Sequence, residues 1–179
     1  MKWITRERPK IDRIACPWLI ARFIDKTPEF LYVPTPDVMR VAKETGATPY
    51  DVPGVEFTHV GEDCSFDTFI KRYKLLSAAD ESTGADGAGS QSKGLQDLAA
   101  IVRGADTDRL DLAPQAAGLL AISLGLSRNF PNDHEMLAHG MVMYDALYAW
   151  CCHAQGEKHN WMYPPMPKPV PAWLSQQSY

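Results

Sequence analysis

Excess basic charge, long apolar runs and dense cysteine are all missing from this sequence, and each absence removes a class of function. Lys and Arg total 18 against 22 Asp and Glu, a formal net charge of -4. No surface able to neutralise many phosphates is expected, so the chain is read as having no stand-alone nucleic-acid binding. No apolar stretch approaches the roughly 20 residues that span a bilayer. The start, Met1-Lys2-Trp3-Ile4-Thr5-Arg6-Glu7-Arg8, lacks the apolar run and small-residue cleavage site of a secretory signal. The four cysteines, Cys16, Cys64, Cys151 and Cys152, do not form the dense scaffold of a small secreted protein. The expectation is a cytoplasmic protein with reduced thiols and no membrane association. A G-x-S-x-G elbow, a Walker loop and a dinucleotide glycine fingerprint are also lacking, so no nucleotide cofactor is indicated.

What is present suffices for one core. With 179 residues, 45% of them hydrophobic, a single domain is the default. Ile11, Ile14, Ala15, Trp18, Leu19 and Phe23 recur at helical spacing, although Pro17 favours a regular helix that begins near Cys16. Phe30-Leu31-Tyr32-Val33 reads as a strand, and Asp37 as the cap of a helix running to Gly46. A second strand is expected at Val55 to His59, then a helix from Phe66 to Tyr73 capped by Ser65. Ser77 to Gly94 has too little apolar content to order itself and reads as a mobile loop. Leu95 to Val102 and Pro114 to Leu126 look helical. A last helix is expected from Asn132, with Glu135 completing a capping box, to about Ala154. The Pro-rich tail from Tyr163 to Pro171 favours extended backbone.

The expected fold is therefore α+β and predominantly helical. A helix and strand half with a small sheet (1–76) packs on a helical half (95–158), with a flexible loop at 77–94 and a Pro-rich tail at 159–179.

Three polar segments could carry chemistry. In the first, the amides at a helix start, the planar fork of Arg13 and the thiol of Cys16 suit an oxyanion, while Asp12 caps or supports. In the second, His59, Glu62 and Cys64 place an imidazole, a carboxylate and a thiol within six positions. The spacing matches no standard zinc motif, and Cys64 is taken as support. The third runs from Arg103 to Asp111 and adds Arg103 and Arg109 for an anion, Asp106 for a metal and Asp108 as support. The sixth-position glycine and distal glutamate of a calcium loop are absent, and its charges can also satisfy one another.

On the last helix, His134 is a further candidate metal ligand. Asp145 stands about 16 Å further along by the helical rise, too far to share an ion with it. A carboxylate among Met143, Tyr144, Ala146 and Leu147 needs a partner, and Arg13, Arg103 and Arg109 are the candidates. The adjacent Cys151 and Cys152 face different sides of a helix and read as structural.

With these residues in view, the chain resembles the chromate-resistance protein family, specifically the carboxy-terminal domain of ChrB-type proteins. The resemblance rests on Lys10 to Ile20, on His59 followed by Cys64-Ser65-Phe66-Asp67, on Val102 to Asp108 and on Tyr144-Asp145-Ala146-Leu147-Tyr148. It implies the sensing or accessory half of a chromate-resistance system. DNA binding would then need the additional amino-terminal region of longer members, which is not in this chain.

The reading that follows is an accessory or sensor domain that binds chromate or a related oxyanion through Arg13, Cys16, Arg103 and Arg109, or a divalent Zn, Mn or Fe ion through His59, Glu62, Asp106 and His134. An enzyme working through a metal, or through Cys16 or Cys64 with His59 or His134 as proton carrier, is one alternative. An interaction module working through the Pro-rich tail, or through a partner that supplies the additional amino-terminal region, is the other, with another protein or further copies of the chain as partners.

Overall fold

The protein is described from a computed structural model that covers residues 1–76 and 88–158. Three short strands form a parallel sheet in the order β2-β1-β3: β1 (Lys2–Arg6), β2 (Glu29–Val33) and β3 (Thr48–Pro49). Helix α1 (Asp12–Leu19) with a following π-helical turn (Ile20–Ile24) connects β1 to β2, and α2 (Val38–Thr45) connects β2 to β3. Alternation along the strands sends side chains to opposite faces. Trp3, Phe30 and Tyr32 meet the large core with α1, while Ile4, Leu31 and Val33 meet Val38, Val41 and Ala42 of α2.

The remaining elements are helical: α3 (Ser65–Arg72), α4 (Ala88–Asp106), α5 (Ala116–Asn129) and α6 (Asp133–His153). The fold is thus α+β and predominantly helical, as expected. Helices α4 and α6 pack along each other, and α6 also crosses α1. There Gly140 lies so close to Ile14 that a methyl group in its place would collide. No helix among the described residues is long and apolar enough to cross a membrane.

Several local expectations are corrected. The first helix begins at Asp12, with Pro17 inside it. A proline there removes the N–H that would bond the carbonyl of Arg13, and the Tyr32 hydroxyl donates to that carbonyl instead (3.0 Å). Val55 to His59 is not a strand. Pro53 and Gly54 (φ 82) turn the chain just before it, leaving isolated bridges between Tyr50 and Phe57 and between Val60 and Asp63. The third strand lies earlier, at Thr48–Pro49, and β1 was not anticipated.

Helix α3 is capped by Cys64, whose amide meets the Asp67 side chain (3.1 Å), because the Ser65 hydroxyl is drawn to Asp51 (2.9 Å). Asp37 precedes α2 without a capping bond and pairs with Arg40. Helix α4 starts at Ala88, inside the span expected to be a loop, and runs unbroken to Asp106. Asn132 caps α6 as expected, accepting from the amides of His134 and Glu135 (3.0 Å each). The rest of the expected loop (77–87) and the Pro-rich tail lie outside the described residues.

Candidate metal centre

In a doubly wound parallel sheet the crevice lies beyond the carboxyl ends of the strands where the order reverses. Here that point falls between β1 and β3. Arg6 ends β1, Asp51 follows β3, and Asp12 and Arg13 open α1. Two further elements close over them: the loop carrying His59, and the last residue of α4, Asp106.

His59 is held from behind, since the Thr68 hydroxyl of α3 donates to the carbonyl of Thr58 (2.8 Å). Its Nε2 lies 3.0 Å from Asp106 and 3.6 Å from both Asp12 and Asp51. Asp12, His59 and Asp106 each offer a ligand atom, all within 4.8 Å of one another. The imidazole is 43% exposed while Asp12 is 1% exposed, so the cluster is open on the histidine side and closed beneath.

The hydrogen bonds divide the three carboxylates into two kinds. Asp51 is fully engaged: it accepts from Arg6 (2.8 Å) and the Ser65 hydroxyl and pairs with Arg13 (3.3 Å). Burial works against ionisation, yet its pKa lies below the ordinary carboxylate value, because His59, Arg6 and Ser65 all favour the charged form. Asp12 is different. One oxygen accepts the Ser65 amide (2.6 Å), but the other is buried with no hydrogen-bond partner among the described residues. Burial, then the charges of Asp106 and Asp51, raise its pKa well above the usual range. Asp106, whose other oxygen receives the Asp12 amide (3.4 Å), is raised by burial and by Asp51.

The same carboxylates act on the histidine. Asp51 first, then Asp12 and Asp106, push His59 up to about 9 against its own partial burial. An orphaned buried oxygen and two carboxylates that resist ionising together describe a place short of positive charge. The donor set of two carboxylate oxygens and one imidazole nitrogen fits a divalent transition ion.

The backbone beside the site is strained. Ile11, just before Asp12, sits at φ 37 and ψ -97, and Asp51 at φ 51. A β-branched residue adopts such a conformation only where its surroundings impose it. Ile11 is locked by its carbonyl, which accepts from the amides of Ile14 and Ala15 and from the buried Tyr144 hydroxyl (3.3 Å).

The expected ligands divide accordingly. His59 and Asp106 come together, and Asp12, expected as support, joins them. Glu62 does not, because Val60 and Asp63 exchange both backbone hydrogen bonds (3.1 Å each) and leave it exposed in the turn between them. His134 stands exposed at the start of α6 with its ring edge against Tyr32.

The expected anion ligands each have other partners. Arg13 is held by Asp51 and the Glu7 carbonyl (2.9 Å), Arg103 pairs with Asp67 (3.1 Å), and Arg109 pairs with Asp111 (3.1 Å). Cys16 is fully buried, and burial followed by Asp12 and Asp51 raises its thiol well above its ordinary value. Burial and Asp12 raise Cys64 in the same way. Both are therefore neutral thiols, without the electropositive surroundings of a reactive cysteine. Asp108 is exposed in the turn after α4 at φ 58. Asp145 is bound by neither Arg13, Arg103 nor Arg109. Its partner is Arg22, in two parallel bonds (2.9 and 2.7 Å), with the Trp18 indole donating as well (2.7 Å). Sequence reasoning missed Arg6 and Asp51; their places, at the end of β1 and two residues after β3, would have been the signal had those two strands been recognised.

Comparison with known proteins places the chain in a family. The family described as "ChrB, C-terminal domain" matches residues 3–84 and 86–151, and the chain belongs to it. A curated relative, Protein ChrB of Cupriavidus metallidurans, is 31% identical over 147 residues, which is 82% of this chain and 40% of that protein. The chain thus matches well under half of the relative's length. No solved structure matches.

Proposed function

We propose that this ChrB-type domain serves chromate resistance as a sensing or accessory unit that holds one divalent transition-metal ion on Asp12, His59 and Asp106. Membership of the ChrB family supports the role. The observation that carries the metal is the buried, unpartnered oxygen of Asp12 among ligand atoms that converge within 4.8 Å. A cation there would relieve the repulsion between Asp12 and Asp106. Two oxygens and one nitrogen without a thiolate favour manganese or iron, with zinc next. Asp51 acts as a fixed wall, anchored by Arg6, Arg13 and Ser65, against which His59 is oriented. The ion would supply positive charge at the mouth of an acidic crevice, which is what an oxyanion such as chromate needs to be held there.

Calorimetric titration of the metal-stripped chain with Mn(II), Fe(II) and Zn(II) tests the reading. It predicts one site per chain, with affinity reduced at least about tenfold by Asp12→Asn and by His59→Ala. Heat of binding for none of the three ions, or binding untouched by both substitutions, overturns it.

A further inference from the structure

Helix α5 is apolar on both sides. Its buried side carries Ala116 and Leu119 together with Ser123 and Ser127, and the Ser123 hydroxyl has no hydrogen-bond partner among the described residues. Its outward side carries Ala117, Gly118, Ala121 and Gly125, flanked by Ile122 (54% exposed) and Leu124 (44%). No charged residue occurs between Ala113 and Ser127. A helix on a free surface is expected to carry polar and charged residues on its outward side.

The two glycines sharpen the point. Gly118 and Gly125 lie in the helix interior, where glycine is the least favourable residue after proline. Neither has a positive φ, and a Cβ at either would meet nothing within 4 Å. Gly104 and Gly140 differ, since each answers a close approach: at Gly104, a Cβ would come within 2.9 Å of Ala116 and of the Arg109 carbonyl. Nothing among the described residues gives Gly118 and Gly125 such a reason.

We propose that α5 is the face through which two copies of this chain pair, antiparallel, across a two-fold axis near Ala121. Ala117, Ala121 and Gly125 recur every fourth residue, the spacing that lets two helix axes approach closely, with larger side chains on either flank. An isologous contact requires the surface to complement itself. The helix ends meet that demand. Arg128 closes α5 and forms no ion pair among the described residues, while Asp111, paired with Arg109 but 68% exposed at its side chain, precedes the helix. An antiparallel crossing at Ala121 sets Arg128 of each copy opposite Pro114 of the other, within an arginine's reach of Asp111. Leu110 and Leu112, 38% and 37% exposed, extend the apolar surface at the same end. A helix of about 21 Å is too short to cross a bilayer and has no basic face for anionic lipid.

Sedimentation velocity of the full chain, over about a hundredfold range of concentration, tests the proposal. The expected result is a species of two chain masses that Ala121→Arg converts to one and Gly125→Leu weakens by at least about tenfold. Met39→Glu, an exposed residue of α2, leaves the dimer intact. Should Ala121→Arg lose helicity, Ala121→Cys decides: residues beside the axis cross-link to their own copies under mild oxidation. Wild type sedimenting as a single chain throughout, or Ala121→Cys failing to cross-link, overturns the proposal.

Discussion

His59 Nε2 stands 3.0 Å from a carboxylate oxygen of Asp106, one on a loop after β3 and the other at the end of α4. Neither belongs to the sheet, yet both close over the point where its strand order reverses. Asp12 completes the set from below. If the group exists to bind a cation rather than to support the fold, neutralising its buried member should improve the empty protein. Asp12→Asn keeps an acceptor for the Ser65 amide and removes repulsion with Asp51 and Asp106, so the metal-free variant is expected to gain about 1 kcal/mol. Chemical denaturation of both proteins without metal measures this. A loss of stability would mark Asp12 as structural.

The pH dependence of the metal-free protein follows from the same charges. His59 is raised to about 9, so its favourable contribution is complete below the ordinary histidine value of 6.5 and is lost as pH rises through 9. Asp12 and Asp106 are raised as well, so the folded chain binds more protons than the unfolded one and stability again falls as pH rises. Melting temperature is expected to fall from pH 6 to pH 9, and to fall less in His59→Gln. A flat or rising profile would contradict the assigned environment.

Protons and a cation compete for these ligands, so metal affinity is expected to rise across that pH range while stability falls. Titrations at neutral pH in two buffers of different ionisation enthalpy should show proton release on binding. Equal heats in both buffers would contradict it.

Arg22 and Asp145 form a bidentate pair with side chains 7% and 11% exposed, tied also to Trp18. Asp145→Ala removes both bonds to the buried Arg22 guanidinium and the acceptor of the Trp18 indole, and is expected to cost about 3–5 kcal/mol. The double change Arg22→Met with Asp145→Leu should recover much of that loss. Denaturant midpoints distinguish the two outcomes, and metal affinity should be unchanged in both.

Pro17 and Tyr32 form a smaller testable unit. Tyr32→Phe leaves the Arg13 carbonyl without its donor and should cost about 1–2 kcal/mol, whereas in a Pro17→Ala background the restored amide should reduce that cost. Equal costs in both backgrounds would separate Tyr32 from the proline.

Much of the helical framework was legible because apolar periodicity and capping chemistry are local signals. Asn132, for example, announces α6 through its own hydrogen bonds. The sheet was less legible. Strand β1 is five residues at the chain start, β3 is two residues, and pairing partners are distant in sequence. His59 and Asp106 could be named as metal-ligand types from their chemistry alone. Asp12 was read as support because its neighbours Arg13 and Cys16 suggested an anion, whereas tertiary contact surrounds the helix start with Asp51 and Asp106. Glu62 lay close to His59 in sequence, but the Val60–Asp63 turn sends it outward. Arg22 was overlooked as the partner of Asp145 because its π-helical turn is not marked by any residue pattern.

The most direct test of the metal centre is a crystal of the full chain equilibrated with Mn(II) and examined by anomalous scattering. The account predicts one strong peak at about 2.0–2.3 Å from oxygens of Asp12 and Asp106 and the Nε2 of His59. A crystal showing manganese elsewhere, or none between these three residues, would contradict it.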